Sequence, residues 1–116
     1  MADLRIADYV PYPGGRYTSD GPYSGQWFRE SILRPALDLA IQKDDVLVVN
    51  LDGVPGYGIS FIEEGFGGLI REDNYVFDVL MKHLKVVSTS HQYDSYERIS
   101  RNVLINAEKI RASQGG

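Results

Sequence analysis

Apolar positions along this chain switch between two periods, and the switches lay out its elements. Val46–Leu51 is a short, nearly continuous β-branched run, the pattern of a strand covered on both faces. Leu4–Val10 is a short strand with Leu4 and Ile6 on one face. Pro13-Gly14-Gly15 is a turn, and Arg16-Tyr17-Thr18 returns from it, so residues 4–18 predict an antiparallel hairpin. Leu84–Thr89 reads as the last strand. Between the strands the period lengthens. Phe28, Ile32, Ala36 and Ala40 form one row, with Leu33, Leu37 and Ile41 beside it, a broad stripe for packing on a sheet. Ser24 caps this first helix, with Tyr23 and Phe28 placed as a hydrophobic staple. Pro35 lacks a backbone donor and predicts a kink, or a break with a restart near residue 35.

A glycine-rich turn, residues 53–58, follows the central strand and leads to a helix over 61–70 with Ile62, Phe66, Leu69 and Ile70 inward. Ser60 and Glu63 have the spacing of a capping box at its start. Gly65, Gly67 and Gly68 each cost roughly 1 kcal/mol relative to alanine inside a helix, which predicts close packing on the sheet. Asn74 or Asp73 caps a third helix running through Lys82, with Phe77, Leu80 and Met81 inward. The final helix starts at Asp94 with the stripe Tyr96, Ile99, Val103, Ala107 and Ile110, and residues 113–116 read as a frayed tail. The order is strand, strand, helix, strand, helix, helix, strand, helix. It predicts one α/β domain over residues 1–116, with a mixed sheet of about four strands: the N-terminal hairpin plus parallel strands joined by crossovers.

Composition narrows the function classes. At 116 residues, 43% hydrophobic and 24% charged, the chain suits one globular core. The net charge of −4 weighs against nucleic-acid binding, which needs a basic patch, and the acids are scattered, not in runs. No cysteine is present, so disulfide and thiolate chemistry are excluded. No apolar run approaches a membrane span and no signal-peptide pattern opens the chain, so the expectation is a cytoplasmic protein with no membrane contact. Eight tyrosines are many for this length; Tyr9, Tyr12, Tyr17 and Tyr23 cluster near the N-terminus, at a core edge or a partner surface.

Candidate chemistry is sparse. Ser60 is a helix cap on one reading and a phosphosite on another, since a phosphate there would meet free N–H groups and the positive end of the helix dipole. The 53–58 glycines resemble a phosphate cradle but lack both the ending of a P-loop and a complete dinucleotide fingerprint, so a plain turn is favoured. Arg16 is a planar fork for a partner's carboxylate or a phosphate, or else pairs with Asp20 or Asp52. His83 and His91 lack metal-ligand spacing and read as exposed ends of elements. Glu63 and Glu64 point about 100° apart on a helix and do not converge on one substrate. No nucleophile–base–orienter set is visible, so no enzymatic activity, cofactor or metal is read. The binding candidates are Arg16, Ser24, Tyr57 and Ser60, for a partner or an anion.

Several blocks carry a resemblance: Pro13-Gly14-Gly15-Arg16, Ser24-Gly25, Leu33-Arg34-Pro35-Ala36-Leu37, residues 49–54 and residues 60–69. Through these, over about residues 4–90, the chain resembles the STAS-like domain family of unknown function, a relative of the anti-sigma-factor antagonist fold. The resemblance implies a STAS-like α/β fold. It also implies a regulatory role toward a protein partner such as a kinase-like ATPase regulator. In antagonist STAS domains an Asp-Ser-Ser-Gly-type motif opens the helix after the central strand, and one of its serines is phosphorylated. Here the matching stretch is Gly58-Ile59-Ser60-Phe61, which keeps a serine and loses the aspartate, the paired serine and the glycine. The leading expectation is therefore a non-enzymatic interaction domain that uses the 53–60 turn and the helix start at Ser60. The alternatives are a small-molecule or nucleotide sensor, or a phage or mobile-element accessory protein that blocks a host complex.

Overall fold

The computed structural model describes residues 1–114; the last two residues of the expected tail lie outside it. Three strands form one parallel sheet, β1 (Ala2–Arg5), β2 (Leu47–Asn50) and β3 (Leu84–Val87), with β2 in the middle. Register aligns Leu4 with Val49 and Val86, and Asp3 with Val48 and Lys85. The first row belongs to the core side, where Leu4, Leu47, Val49 and Leu84 are buried, while Asp3, Arg5 and Lys85 are exposed. Val48 is only half-buried. The sheet is thus covered on one face, as two right-handed crossovers between neighbouring parallel strands produce. The expectation that β2 is covered on both faces is corrected: its valines suit a half-open face equally well, and a run of four residues does not distinguish the two cases.

The expected N-terminal hairpin is absent, and with it the fourth strand and the antiparallel edge. After β1 the chain enters a 3₁₀ turn, Ile6–Asp8, which drives Ile6 and Val10 completely into the core. Residues 13–16 bond elsewhere. The carbonyls of Gly15 and Arg16 accept from Gly25 and Gln26, at the start of the first helix, and the Pro13 carbonyl accepts from Gly58. Those free helix N–H groups are stronger claimants than a short strand edge.

Helix α1 covers residues 25–42. It opens as an α-helix at Gly25–Phe28, widens into a π turn at Arg29–Leu33, and resumes α geometry at Arg34–Gln42. Pro35 neither breaks nor ends it. The wide turn lies just before the proline, with the Arg34 N–H reaching back five residues to the Arg29 carbonyl. Helix α2, residues 59–71, has its own π turn at Glu63–Gly67. Helices α3 (Phe77–His83) and α4 (Asp94–Gln114) complete the layer. Helix α4 runs through Gln114, so it extends into the expected tail. Asn74 adopts a left-handed conformation, and α3 starts after Val76 without a side-chain cap from Asp73 or Asn74. Met81 is largely exposed, and so is Ile110 at the far end of the α4 stripe; Leu104 is buried on α4 instead.

The core centres on Phe28, Phe61 and Phe66, all fully buried, with Phe28 5.7 Å from Phe61 and 6.5 Å from Phe66 between ring centroids. The glycines serve a helix–helix contact, not the helix–sheet contact expected. A side chain at Gly25 would collide with the Phe61 carbonyl and meet the Gly65 amide nitrogen at 3.0 Å, and one at Gly68 would collide with the Arg29 guanidinium. The α1 start is capped as expected: Ser24 Oγ accepts from the Trp27 amide at 3.0 Å and is buried. Tyr23 packs edge-on against Trp27 at 5.7 Å, while Phe28 faces the core. Ser24→Ala should lower stability by about 0.5–2 kcal/mol in chemical denaturation. A change smaller than that range would mean that the Gly15 and Arg16 carbonyl contacts hold this helix start without the cap.

Candidate functional site

The carboxyl ends of the strands are joined by three loops that lock to one another. Asp52, just after β2, accepts from the Thr89 amide at 3.1 Å, from the Thr89 hydroxyl and from the Ser90 amide. Burial works against its charge, but these donors outweigh burial and hold the carboxyl below the usual carboxylate range. Gly53, at φ 108°, turns the chain, and its amide donates to the Tyr93 hydroxyl, which in turn donates to the Val54 carbonyl. Tyr57 is buried; its hydroxyl donates to the Leu51 carbonyl at 2.7 Å, and its ring lies against Tyr93 and Tyr96. Burial, followed by the nearby Tyr93 and Asp52, pushes the Tyr57 hydroxyl far above its ordinary range, so it keeps the proton that it donates to Leu51.

The third loop is 13–16. Gly58 donates to the Pro13 carbonyl at 2.8 Å, and a side chain on Gly58 would meet the Gly14 backbone. This close approach brings Arg16 to the start of α2. Its guanidinium donates to Ser60 Oγ at 3.4 Å and lies 3.6 Å from a Glu63 carboxylate oxygen. Arg16 therefore pairs with neither Asp20 nor Asp52. Asp20 accepts from the Tyr17 amide, and Asp52 holds the 89–90 loop. Ser60 is not the cap of α2 either. Gly58 is, and its carbonyl accepts from Ile62. Ser60 sits inside the first turn, half-exposed, with its hydroxyl turned to Arg16. Around this point Tyr12 and Ile59 are exposed, and Tyr12, Pro13, Pro55 and Gly56 border a shallow hollow of about 240 Å³. Of the four candidates, Arg16 and Ser60 meet at the surface; Ser24 and Tyr57 lie in the buried layer beneath it.

A second polar cluster went unpredicted. Arg29 is 3% exposed, on the π turn of α1. It pairs with Glu64 at 2.7 Å, from the π turn of α2, and touches Asp73 at 2.9 Å without hydrogen-bond alignment. Arg71 and Arg34 approach the same two acids from the surface, each at about 3.5 Å. Gly68 has no side chain because the Arg29 guanidinium occupies that space. The signal was present in the row Arg29, Leu33, Leu37, where a cation takes a buried position one turn before two leucines. His83 also departs from expectation: it is buried, with Nδ1 2.7 Å from the Asp45 carbonyl oxygen, whereas His91 is exposed beside Asp94. Among the described residues no group of three or more His, Asp or Glu side chains is placed to hold a metal ion, and no helix is long and apolar enough to cross a membrane.

No curated protein and no solved structure matches the chain. A family described as a STAS-like domain of unknown function matches residues 24–94, from the cap of α1 through all of β2, α2, α3 and β3 to the start of α4. That span is more than half of the sequence and holds the strand–turn–helix unit that carries Ser60, while Arg16 lies before it. A small α/β domain with a three-stranded parallel sheet fits that description, and the chain belongs to the STAS-like domain family of unknown function.

Proposed function

We propose that this chain is a regulatory protein-interaction domain that catalyses no reaction and engages a protein partner through the 53–60 turn, the start of α2 and the 13–16 loop. The supporting observation is the contact of Arg16, on the 13–16 loop, with Ser60 and Glu63 at the start of α2, two segments already fastened together by the Pro13–Gly58 bond. Loops held rigidly by a scaffold are the usual carriers of recognition. Exposed Tyr12 and Ile59 supply the apolar part of such a surface, and a basic–acidic pair supplies its polar part. The partner in this reading is a kinase-like ATPase regulator, the kind that the resemblance to antagonist STAS domains implies. Ser60 is the modification site of this reading. A phosphate on its oxygen would lie beside the Arg16 guanidinium and compete with Glu63 for it, changing the charge of the surface without touching the core.

The test is capture from the native host on immobilised wild-type, Arg16→Ala and Ser60→Asp proteins, with melting curves measured in parallel. A partner held by the wild type and lost from Ser60→Asp, at unchanged stability, supports the reading. Equal capture by all three proteins overturns it. The fold contributes its own expectation: because Ser60 is not a cap, Ser60→Ala should change stability by no more than about 0.5 kcal/mol. Ser60→Asp should be neutral or stabilising by up to about 1 kcal/mol, since a negative charge in the first helical turn is favourable. A loss above that size for alanine would mean that the hydroxyl holds the helix start after all.

A further inference from the structure

Parallel sheets are almost always covered on both faces. This one is covered on one. Leu4, Leu47, Val49 and Leu84 meet the helices, and the alternate residues of each strand form the opposite face. Register arranges that face in two rows across the strands. One row is Asp3, Val48 and Lys85; the other is Arg5, Asn50 and Val87. Asp3, Arg5 and Lys85 are exposed, and Val48 and Val87 are only half-buried. Arg5 is engaged, its guanidinium donating to the Asp52 carbonyl at 3.3 Å. Asp3 and Lys85 stand two strand spacings apart, about 10 Å, too far to pair with each other. Ion pairs next to them in the chain use other groups, the Met1 amine with Asp45 and Lys82 with Asp44. Across the strands the first row therefore runs acid, apolar, base, and both charges lack a partner among the described residues.

We infer that a second copy of the chain packs on this open face, sheet against sheet, about a two-fold axis parallel to the strands. Such an axis exchanges left and right and keeps the strand direction. It sets Asp3 of each copy opposite Lys85 of the other, Val48 against Val48, and the aliphatic stem of Arg5 over Val87. The row is its own complement, as a contact between identical patches requires. A two-fold axis across the strands would instead set Asp3 against Asp3 and Lys85 against Lys85, and like charges facing one another are unfavourable. Charge thus selects one packing, in which the strands of both copies run the same way, close to the aligned packing of sheet sandwiches. The face is small. Three strands of four residues offer a footprint of about 10 by 13 Å before side chains are counted. A stable complex uses roughly 800 Å² per partner. The dimer is therefore weak, with a Kd of about 0.1–1 mM, and the chain is a monomer at micromolar concentration. Because the axis runs along the strands, the loops that carry Arg16 and Ser60 lie at the same end of the dimer in both copies.

The packing does not depend on what those loops bind, and neither does its test. Sedimentation equilibrium of the full chain up to about 2 mM should show a monomer–dimer equilibrium. Asp3→Lys and Lys85→Glu, both at exposed positions, should each weaken self-association about tenfold or more with the melting curve retained. Asp3→Lys lowers the net negative charge of the protein, so general repulsion predicts the opposite change for it. Combined in one chain, the two substitutions restore opposite charges across the interface and should recover wild-type association within about threefold. Mixed as separate proteins, the two single variants should bind each other although neither binds itself. Both remain negatively charged overall, so bulk attraction does not account for such a complex. If a single reversal lowers the melting temperature, the combined variant and the mixture decide. A wild type that stays monomeric at about 2 mM overturns the inference. So does a dimer that neither reversal weakens, or a combined variant that fails to recover.

Discussion

Arg29→Ala should destabilise the protein by about 3–5 kcal/mol, enough to threaten a domain of this size. The side chain is almost fully buried, and its removal leaves Glu64 and Asp73 in the interior with only the more distant Arg71 and Arg34 for company. An uncompensated buried carboxylate is the expensive outcome, more so than the lost ion pair. One comparison identifies that cause. Replacing Arg29 together with Glu64 by apolar residues of similar volume should recover part of the loss, because the charge and its partner leave together. Urea melts of the single and double variants at neutral pH measure the recovery. A single-variant loss below about 1 kcal/mol would mean that water reaches the cluster and that the pair behaves as a surface salt bridge.

Arg29 also shows why the sequence carried the fold further than the site. The helices α1 and α4, the central strand and β3 were legible because periodic apolar positions within one segment are a local signal. The Arg29–Glu64 pair joins residues 35 apart, and the Arg16–Ser60 contact joins residues 44 apart. Neither spacing leaves a local trace. The Ser60–Glu63 spacing matched a capping box and still misled, because the helix begins two residues earlier at Gly58, where the main chain must approach Gly14. The same approach explains the missing hairpin. Pro13-Gly14-Gly15 has the residues of a hairpin turn, but its carbonyls are taken by Gly58 and by the first amides of α1. Tyr57 was singled out as a binding candidate within the 53–60 turn. Its hydroxyl instead supports that turn from below, so its contribution is to the shape of the loop.

Phe66→Ala should cost about 3–5 kcal/mol, and the companion Val48→Ala about 1 kcal/mol or less. Phe66 is fully buried, edge-on to Phe28 where α1 and α2 cross, and it stands on the π turn that also carries Glu64. Truncating it opens a cavity beside a crossing already drawn tight at Gly25, and a backbone contact that close leaves little freedom to collapse into the space. Val48 is the opposite case, a β-branched residue at the middle of the sheet but on its open face, between Asp3 and Lys85 in register. Its loss removes a favourable strand residue and makes no interior void. The difference between the two variants therefore measures the layering directly. Equal large losses would show that something covers the outer face of the sheet. A small loss at Phe66 would mean that α2 does not pack on α1 at this crossing, and the rigid placement of Ser60 beside Arg16 would lose its support.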